Sequence, residues 1–389
     1  MYTNQPIETK NKLKTQIPIL ILSIFSYFVV VGIAAVTFPV ILKTNNVTET
    51  LIGFSDNIKI ISGLIILTVL PRIAHSLGII GAGIFSLVLY GVSLLLLPIY
   101  QNYLIWAVLM ALFGAGFIVF RTMEETLTNI IASNHNRGRI MGMTSTAMLA
   151  GVSIGPVLVK FFGVTEYKTF VIAFVLSVIS GICFYLLRDG QGDVKPSKKL
   201  NLVKHVKELP MVFFSKFVLE FFVQVLFVFG VIYSMEKGYK AEDGGLFITF
   251  FSLSGFLNVF IGHMVDKVKS RYITMTIGVL ILFITMTVFS FIVQYKLLSY
   301  LLFFIFGFGA SMIFLSSMSI LNSFYNKSNL VSANSALTIT DSIGMISGGI
   351  LTGISIDLFG IQGFFLPMAI LGVIYVLFGL FYYIPRKKV

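Results

Sequence analysis

Charged residues are scarce in this chain. Asp, Glu, Lys and Arg make up 11% of its 389 residues, whereas 57% are hydrophobic, and a soluble globular domain carries about 25% charged residues. The single Cys183 excludes an internal disulfide and a cysteine-ligated metal cluster. The four histidines all lie near the ends of apolar runs, which argues against a buried haem or metal pair. We therefore expect no ordinary soluble fold, no cofactor and no bound metal.

Long apolar runs recur over the whole length instead. Each has 18 or more residues and can cross a hydrocarbon core of about 30 Å as a helix. A helix satisfies its own backbone hydrogen bonds, which lipid cannot do. The pattern predicts an all-α membrane protein with twelve transmembrane helices. The expected spans are about 17–42, 51–71, 77–99, 103–131, 140–162, 168–187, 211–234, 244–263, 272–293, 298–323, 333–358 and 361–384.

One long polar segment, residues 188–210, divides the chain into two sets of six spans. We expect an N-terminal bundle at 1–187, a cytoplasmic linker at 188–210 and a C-terminal bundle at 211–389. With both termini in the cytoplasm, nineteen of the 28 lysines and arginines lie on that side and five on the other. This bias fixes the orientation by the positive-inside rule. The basic residues form no single patch, so we expect no nucleic-acid partner.

An internal repeat relates the two sets. Gly114 and Gly116 recur 193 residues later as Gly307 and Gly309, and two glycines of the fifth span recur in the eleventh. Repeats of this kind are typical of secondary transporters, which bind substrate at the repeat interface near mid-membrane. Glycines also serve simple close packing of membrane helices, and both interpretations can hold together.

A loop motif resembles one in the major facilitator superfamily, and this likeness covers nearly the whole chain. The family carries Gly-x-x-x-Asp-Arg-x-Gly-Arg-Arg after the second span and again after the eighth. Here the second copy reads "GHMVDKVKSR", with Gly262, Asp266, Lys267 and Arg271 matching in kind. The first copy, "PRIAHSLGII", has lost its acid and its basic pair. The resemblance implies a two-bundle transporter fold and a charged gate at the second copy.

The fifth span resembles that of family members that exchange a drug for protons. Gly142, Gly151, Gly155 and Pro156 keep the spacing of that motif, although Lys160 replaces one of its usual last glycines. A proline inside a helix frees a backbone carbonyl and bends the helix. The resemblance implies antiport.

The fourth span resembles some bacterial members, which implies a bacterial cytoplasmic (inner) membrane. In those members a Glu is followed by Ser or Thr, and Asn-Arg-Gly-Arg starts eleven residues after the Glu; here Glu125 and "NRGR" from Asn136 match. The resemblance implies that Glu125 is the functional acid. Arg121 precedes Glu124 by three residues and Glu125 by four, so all three can meet on one helix face. The alternative is that the helix has left the membrane core here and the charges are interfacial.

Other polar groups interrupt the seventh and eleventh spans, and buried charges in a membrane are functional candidates. Lys216, Glu220 and Gln224 follow at four-residue spacing on the seventh span. We expect this polar stripe to face the cavity. The alternative for Lys216 is that it extends to the cytoplasmic surface. Asn334 and Asp341 share a face of the eleventh span, where Asp341 lines the cavity or bonds between helices. The candidate residues inside the spans fall into three predicted roles. We predict proton coupling at Glu124, Glu125, Glu220 and Asp341, charge partners Arg121 and Lys216, and cavity residues Tyr27, Gln224 and Asn334.

The expected function is proton-coupled secondary transport of a small amphipathic organic solute, with a cationic solute as one option. We expect a monomeric exporter in the lipid bilayer whose partners are the solute and protons. Proton-symport import of a metabolite or siderophore-like solute is the alternative. An enzyme is not expected, because no phosphate loop and no mid-membrane Ser–His pair is present. A transport-inactive sensor is a third possibility. Measurements of solute flux would distinguish it from a transporter.

Overall fold

The structure is a computed structural model that describes residues 7–100, 102–131, 137–188, 202–268, 270–325 and 327–383. Fourteen α-helices account for most of these residues, and the described part contains no β-strand. In chain order they are α1 (Ile7–Thr44), α2 (Glu49–Leu96), α3 (Tyr103–Ile131), α4 (Arg137–Phe162), α5 (Tyr167–Leu186), α6 (Leu202–Glu208), α7 (Pro210–Val225), α8 (Val231–Glu236), α9 (Ala241–Leu253), α10 (Asn258–Lys267), α11 (Arg271–Ile292), α12 (Lys296–Phe324), α13 (Lys327–Phe359) and α14 (Leu366–Tyr383). A π-helical turn, Leu226–Gly230, joins α7 to α8, and a 3₁₀ turn, Ser254–Leu257, joins α9 to α10.

Within the described part, eleven helical segments are long and apolar enough to cross a membrane. One of them, α2, has 48 residues, which at ~1.5 Å per residue is about twice the thickness of a hydrocarbon core. Its backbone leaves the helical region at Gly78, with φ 70° and ψ 172°, a conformation that glycine adopts without a Cβ clash. Counting the two arms of α2 separately gives the twelve spans predicted from the sequence.

The break inside α2 lies a few residues from its predicted position. The sequence predicted a short loop after Pro71, but helix continues through residues 72–77 and is interrupted at Gly78. Proline removes one backbone donor and bends a helix without having to end it. Glycine instead supplies the positive φ at which the chain changes course.

Contacts between Cα atoms divide the chain into two compact units. Unit 1 comprises residues 1–34 and 58–196, and unit 2 comprises residues 35–57 and 197–389. The end of α1 and the start of α2 therefore belong to unit 2, and the predicted linker contains the seven-residue helix α6. The division into six-helix bundles at 1–187 and 211–389 stays a prediction.

Equivalent glycines of the repeat make equivalent close contacts within each unit. In unit 1, a Cβ on Gly114 would collide with the carbonyl of Lys59, and one on Gly116 would lie 2.6 Å from the carbonyl of Ser86. In unit 2, Gly307 and Gly309 face backbone oxygens of Phe251 and Gly278 in the same way. Small residues let helix backbones approach this closely. The repeat seen in the sequence is therefore a repeat of helix packing.

Large apolar side chains cover much of the outer surface of the helices. Val259 is 87% exposed, Leu297 79% and Phe161 77%. Exposed apolar surface on this scale is rare on a soluble monomer. Such a surface is suited to contact with lipid, in agreement with the low content of charged residues.

Candidate functional site

The three charges of α3 form one cluster in unit 1. Arg121 Nη1 lies 2.7 Å from Glu124 Oε2, and Arg121 Nη2 lies 2.7 Å from Glu125 Oε1. The predicted meeting of these groups on one helix face is confirmed. The two acids differ in environment, because the Glu124 side chain is 3% exposed and that of Glu125 is 55% exposed. Thr128 donates a further hydrogen bond to Glu124 Oε1 at 3.1 Å, so Glu124 is the anchored acid and Glu125 the accessible one.

Aromatic side chains lie next to the basic residue of this cluster, Arg121. The Arg121 guanidinium lies 5.3 Å from the ring centre of Phe28, a distance at which a cation is attracted to an aromatic face. Tyr27 is fully buried, donates a hydrogen bond to the carbonyl of Phe117 at 2.8 Å and packs 4.4 Å from the ring centre of Phe120. Its predicted role as a cavity residue stays a prediction, and in this conformation Tyr27 is enclosed within unit 1.

A second cluster lies in unit 2, where α7 and α13 contact each other. Lys216 Nζ lies 2.9 Å from Glu220 Oε1 and 3.3 Å from Asp341 Oδ2. The Lys216 side chain is 1% exposed, so the alternative in which it extends to the cytoplasmic surface is wrong for this conformation. Its ammonium group also lies 5.1 Å from the ring centre of Phe314. One base thus holds two carboxylates, as Arg121 does in unit 1.

Gln224 extends the polar stripe of α7 by one further turn. Its side-chain amide donates a short hydrogen bond to Asp56 Oδ2 on α2, a residue that belongs to the same unit. The neighbouring Asn57 is fully buried and donates to the carbonyl of Ile346 on α13 at 3.0 Å. The sequence analysis did not predict this contact between Asp56 and α7. No sequence signal marks a partner 168 residues away.

The antiporter-like motif packs α4 against α1 inside unit 1. A Cβ on Gly155 would lie 2.5 Å from the backbone of Gly32, and one on Gly151 would lie 2.7 Å from the carbonyl of Phe25. Pro156 leaves the carbonyl four residues earlier, that of Val152, without its helical donor. That oxygen is 2.5 Å from the position a Cβ would take on Gly32. Gly142, by contrast, has open space around it.

The gate-like motif spans the end of α10 and the start of α11. Gly262 lies in α10 with no neighbour within 4 Å of an added Cβ. Lys267 is exposed in the last turn of α10, and Arg271 Nη1 lies 3.4 Å from Ser323 Oγ on α12. Arg271 also lines an open cavity of about 470 Å³. The Asp266 side chain and the arginines of "NRGR" lie outside the described part of the structure, so their predicted roles stay predictions.

Sequence reasoning also missed two ion networks of unit 2. In the first, the Asp357 carboxylate accepts the backbone N–H groups of Glu49 and Thr50 at 3.1 and 2.9 Å, which caps the start of α2. Lys43 Nζ bonds Glu49 and lies 3.3 Å from Glu236. These partners are up to 308 residues apart.

The second network attaches α6 to the end of α12 and the start of α13. His205 is buried, with Nε2 2.9 Å from Ser332 Oγ, and its ring packs edge-on against Tyr325. Tyr325 donates a hydrogen bond to Glu208 Oε2 at 2.7 Å. Burial and this hydrogen bond raise the pKa of Tyr325 above its ordinary value. A helix inside the predicted linker is therefore docked on unit 2.

The composition of the two clusters determines what each of them can do chemically. Each contains one base and two carboxylates, so each carries one net negative charge when all its acids are ionised. A cluster of this kind can take up a proton or a cationic group without breaking its central ion pair. Among the described residues, no group of three or more His, Cys, Asp or Glu side chains could hold a metal ion.

Comparisons with known proteins bear on the fold and the family of the chain. Among curated protein sequences, none matches this chain significantly. A mutant form of the nucleoside transporter NupG is similar in structure, with a TM-score of 0.78 and 15% identity over 93% of this chain and 98% of that chain. A bacterial homologue of the human lysosomal transporter Spinster, in an inward-facing and unoccupied conformation, has a TM-score of 0.72 and 12% identity, with 96% of each chain covered.

At these identities the structural likeness concerns the fold, but the sequence match to the family is broader. The family model of the Major Facilitator Superfamily matches residues 20–254 and, in a second match, residues 212–389. Together the two matches cover residues 20–389, and they overlap at residues 212–254. The chain therefore belongs to the Major Facilitator Superfamily and is a multi-pass membrane transporter, not an enzyme.

Proposed function

We propose that the protein is a proton-coupled exporter that exchanges protons for a small amphipathic organic solute by alternating access. The observation that carries the proposal is the pair of base-bridged carboxylate clusters within the predicted spans. Ionisable groups in a membrane are costly and are kept where they bind ions or substrates. Two clusters with a net negative charge each are suited to bind protons and cations.

In the proposed mechanism Glu125 takes up and releases the coupled proton. Its side chain is 55% exposed, whereas Glu124 is enclosed and holds Arg121 from the other side. A proton on Glu125 would remove its attraction for Arg121, while Glu124 would keep the guanidinium in place. The charge of the cluster could then change without loss of the local structure.

The charge balance also supports the proposed class of solute. Arg121 and Lys216 are each already paired with two acids. An anionic solute would have to displace a carboxylate from one of these bases, which would leave a charge buried without its partner. A cationic or neutral solute with aromatic or aliphatic parts meets no such cost. It could pack on the phenylalanines, of which the chain has 39.

Export is favoured over import by the packing of the antiporter-like motif. Gly151, Gly155 and Pro156 are the residues through which α4 contacts α1 in unit 1, so the resemblance extends from sequence spacing to a structural role. Symport of a metabolite remains the second candidate, since one structural relative is described as a nucleoside transporter. We place the protein as a monomer in a bacterial cytoplasmic membrane.

The direction of coupling can be tested in proteoliposomes. Vesicles acidic inside and alkaline outside are clamped at zero membrane potential with valinomycin and equal potassium. Ethidium is a permanent cation, so a pH gradient does not trap it as it traps a weak base. Antiport predicts that ethidium accumulates inside these vesicles and not in protein-free ones. Accumulation of ethidium only under the reversed gradient would favour symport, and so would accumulation of uridine in place of ethidium. The absence of accumulation under either gradient would contradict proton coupling.

Two single substitutions identify the coupling acid in the same vesicles. Glu125→Gln keeps the shape of the side chain and removes the titratable group, so accumulation should be lost while downhill exchange of ethidium continues. Glu220→Gln is the matched control in the second cluster and should still accumulate ethidium. The opposite result would assign the proton to Glu220 and a structural role to Glu125.

A further inference from the structure

Two buried oxygens on one face of α13 have no hydrogen-bond partner among the described residues. They are Oδ1 of Asn334 and Oδ1 of Asp341. The residues are seven positions apart, which is two helical turns, so both lie on the same side of α13. Thr338 lies between them, and its hydroxyl group already donates to the carbonyl of Asn334 at 3.1 Å. The face therefore presents acceptors that nothing in its own helix satisfies.

Unpaired buried acceptors are uncommon, because burial removes the hydrogen bonds that water would supply and nothing replaces them. Asp341 is the more costly of the two, since one of its oxygens is held by Lys216 while the other has no donor. Its side chain as a whole is 23% exposed, and the terminal torsion of a carboxylate is soft. Rotation about that bond can therefore turn an oxygen toward an incoming donor.

No donor among the described residues around this face reaches either oxygen. Lys216 is enclosed between Glu220, Asp341 and the ring of Phe314, so its ammonium group is already committed. Toward the other end of α13, Gly344 lies against the carbonyl of Phe217 on α7, and backbone packing leaves no room for a ligand there. The free acceptors are thus confined to the part of the helix from Asn334 to Asp341.

We propose that Asn334 and Asp341 form a subsite for hydrogen-bond donors of the transported solute, with a protonated nitrogen bound at Asp341. The proposal rests on the proposed transport function and adds the chemistry that the solute must carry. Seven residues correspond to about 10 Å along a helix. A solute with two donor groups about that far apart would satisfy both acceptors. A smaller solute would use Asp341 alone, because a charge-assisted hydrogen bond is about twice as strong as a neutral one.

Binding to the purified protein in detergent, without any gradient, tests the subsite. The probes are pentamidine, a dication with amidine donors at both ends, and tetraphenylphosphonium, a cation without donors. Pentamidine should bind the unmodified protein more tightly than tetraphenylphosphonium does. Asp341→Asn should weaken pentamidine binding at least about tenfold, which corresponds to the loss of one charge-assisted bond. Asn334→Ala, which leaves all ion pairs in place, should weaken it by about three- to tenfold.

The control variant is Thr340→Val, next to Asp341 on α13. Its hydroxyl group donates only to the carbonyl of Ala336 in its own helix, so pentamidine binding should not change. Tetraphenylphosphonium binding should be the same in Asn334→Ala as in the unmodified protein. The proposal is overturned if neither Asp341→Asn nor Asn334→Ala weakens the binding of pentamidine. It is also overturned if none of the three donor-bearing compounds pentamidine, spermidine and uridine binds to the unmodified protein. Loss of pH-driven flux with intact pentamidine binding would instead contradict the proposed coupling and leave the subsite standing.

Discussion

Removal of Arg121 tests which of its two partners, Glu124 or Glu125, destabilises the folded protein when it is left without this cation. In Arg121→Ala, both carboxylates lose a partner at 2.7 Å. Among the described residues, Glu124 then keeps Thr128 as its one hydrogen-bond donor, at 3.1 Å, and it stays enclosed, with 3% of its side chain exposed. Glu125 is 55% exposed and can be hydrated in part. The cost of the substitution should therefore arise almost entirely at Glu124.

The magnitude follows from the burial of the two partners. Breaking a fully buried ion pair by removing one member costs about 3–5 kcal/mol. Arg121 is 30% exposed, so the pair is not fully desolvated and we expect a loss of about 2–3 kcal/mol. Glu125→Gln alone should cost less than about 1 kcal/mol, as is usual for an exposed ion pair. Glu124→Gln in the Arg121→Ala background removes the unpaired charge and should restore most of the loss.

Cys183 provides a clean assay for these variants. It is the single cysteine of the chain and is buried in α5 of unit 1. A thiol-reactive fluorophore will label it only as unit 1 unfolds, so a heating curve reports the midpoint directly. The order of stability should be unmodified protein, then Arg121→Ala with Glu124→Gln, then Arg121→Ala. Equal rescue by Glu125→Gln, or no rescue by Glu124→Gln, would refute the assignment of the anchored acid.

Two further predictions concern packing and the docked helix α6. Gly155→Ala places a Cβ 2.5 Å from the backbone of Gly32 and should cost about 1–3 kcal/mol as overpacking, whereas Gly142→Ala, which meets open space, should melt like the unmodified protein. Tyr325→Phe removes the bond to Glu208 and should lower stability by about 1 kcal/mol below pH ~9. Because the pKa of Tyr325 is raised in the folded state, the unmodified protein loses stability as the pH rises above about 10, where only the unfolded chain ionises. The two melting curves should therefore converge there, and parallel curves up to pH ~11 would contradict the raised pKa.

Features that depend on spacing along one helix could be predicted from the sequence. The apolar runs gave the spans, since length and composition alone decide whether a helix can cross lipid. The ion pairs of Arg121 with Glu124 and Glu125, and of Lys216 with Glu220, follow from three- and four-residue spacing. Their geometry is fixed by the helix itself, so no knowledge of the tertiary fold was needed.

Contacts between distant helices could not be predicted in this way. Asp341 meets Lys216, Gln224 meets Asp56 and Asp357 caps α2 only because the chain folds so that these helices are neighbours. A single sequence contains no signal for such pairing. The degree of burial that separates Glu124 from Glu125 was missed for the same reason, because adjacent residues on a helix face different neighbours. The resemblance pointed to Glu125, and the structure shows why Glu124 must be considered with it.

The repeat conserves backbone packing in both units but exchanges the positions of the charges. In unit 1 the cation, Arg121, is on α3 and its aromatic partner, Phe28, is on α1. In unit 2 the cation, Lys216, is on α7 and its aromatic partner, Phe314, is on α12. The offset of 193 residues relates α1 to α7 and α3 to α12, and it places Phe314 at the position of Arg121.

The same helix pair therefore carries a cation over an aromatic ring in both units, but with the two helices in opposite roles. The repeated glycines Gly114, Gly116 and Gly307 tolerate no such exchange, because any side chain there would collide with a neighbouring backbone. Charged groups can move between helices as long as each base keeps its acids. A symmetric scaffold can thus hold two clusters that differ in burial and in partners, with accessible Glu125 in one and enclosed Lys216 in the other. That difference is what a cycle needs if one unit is to exchange protons while the other recognises the solute.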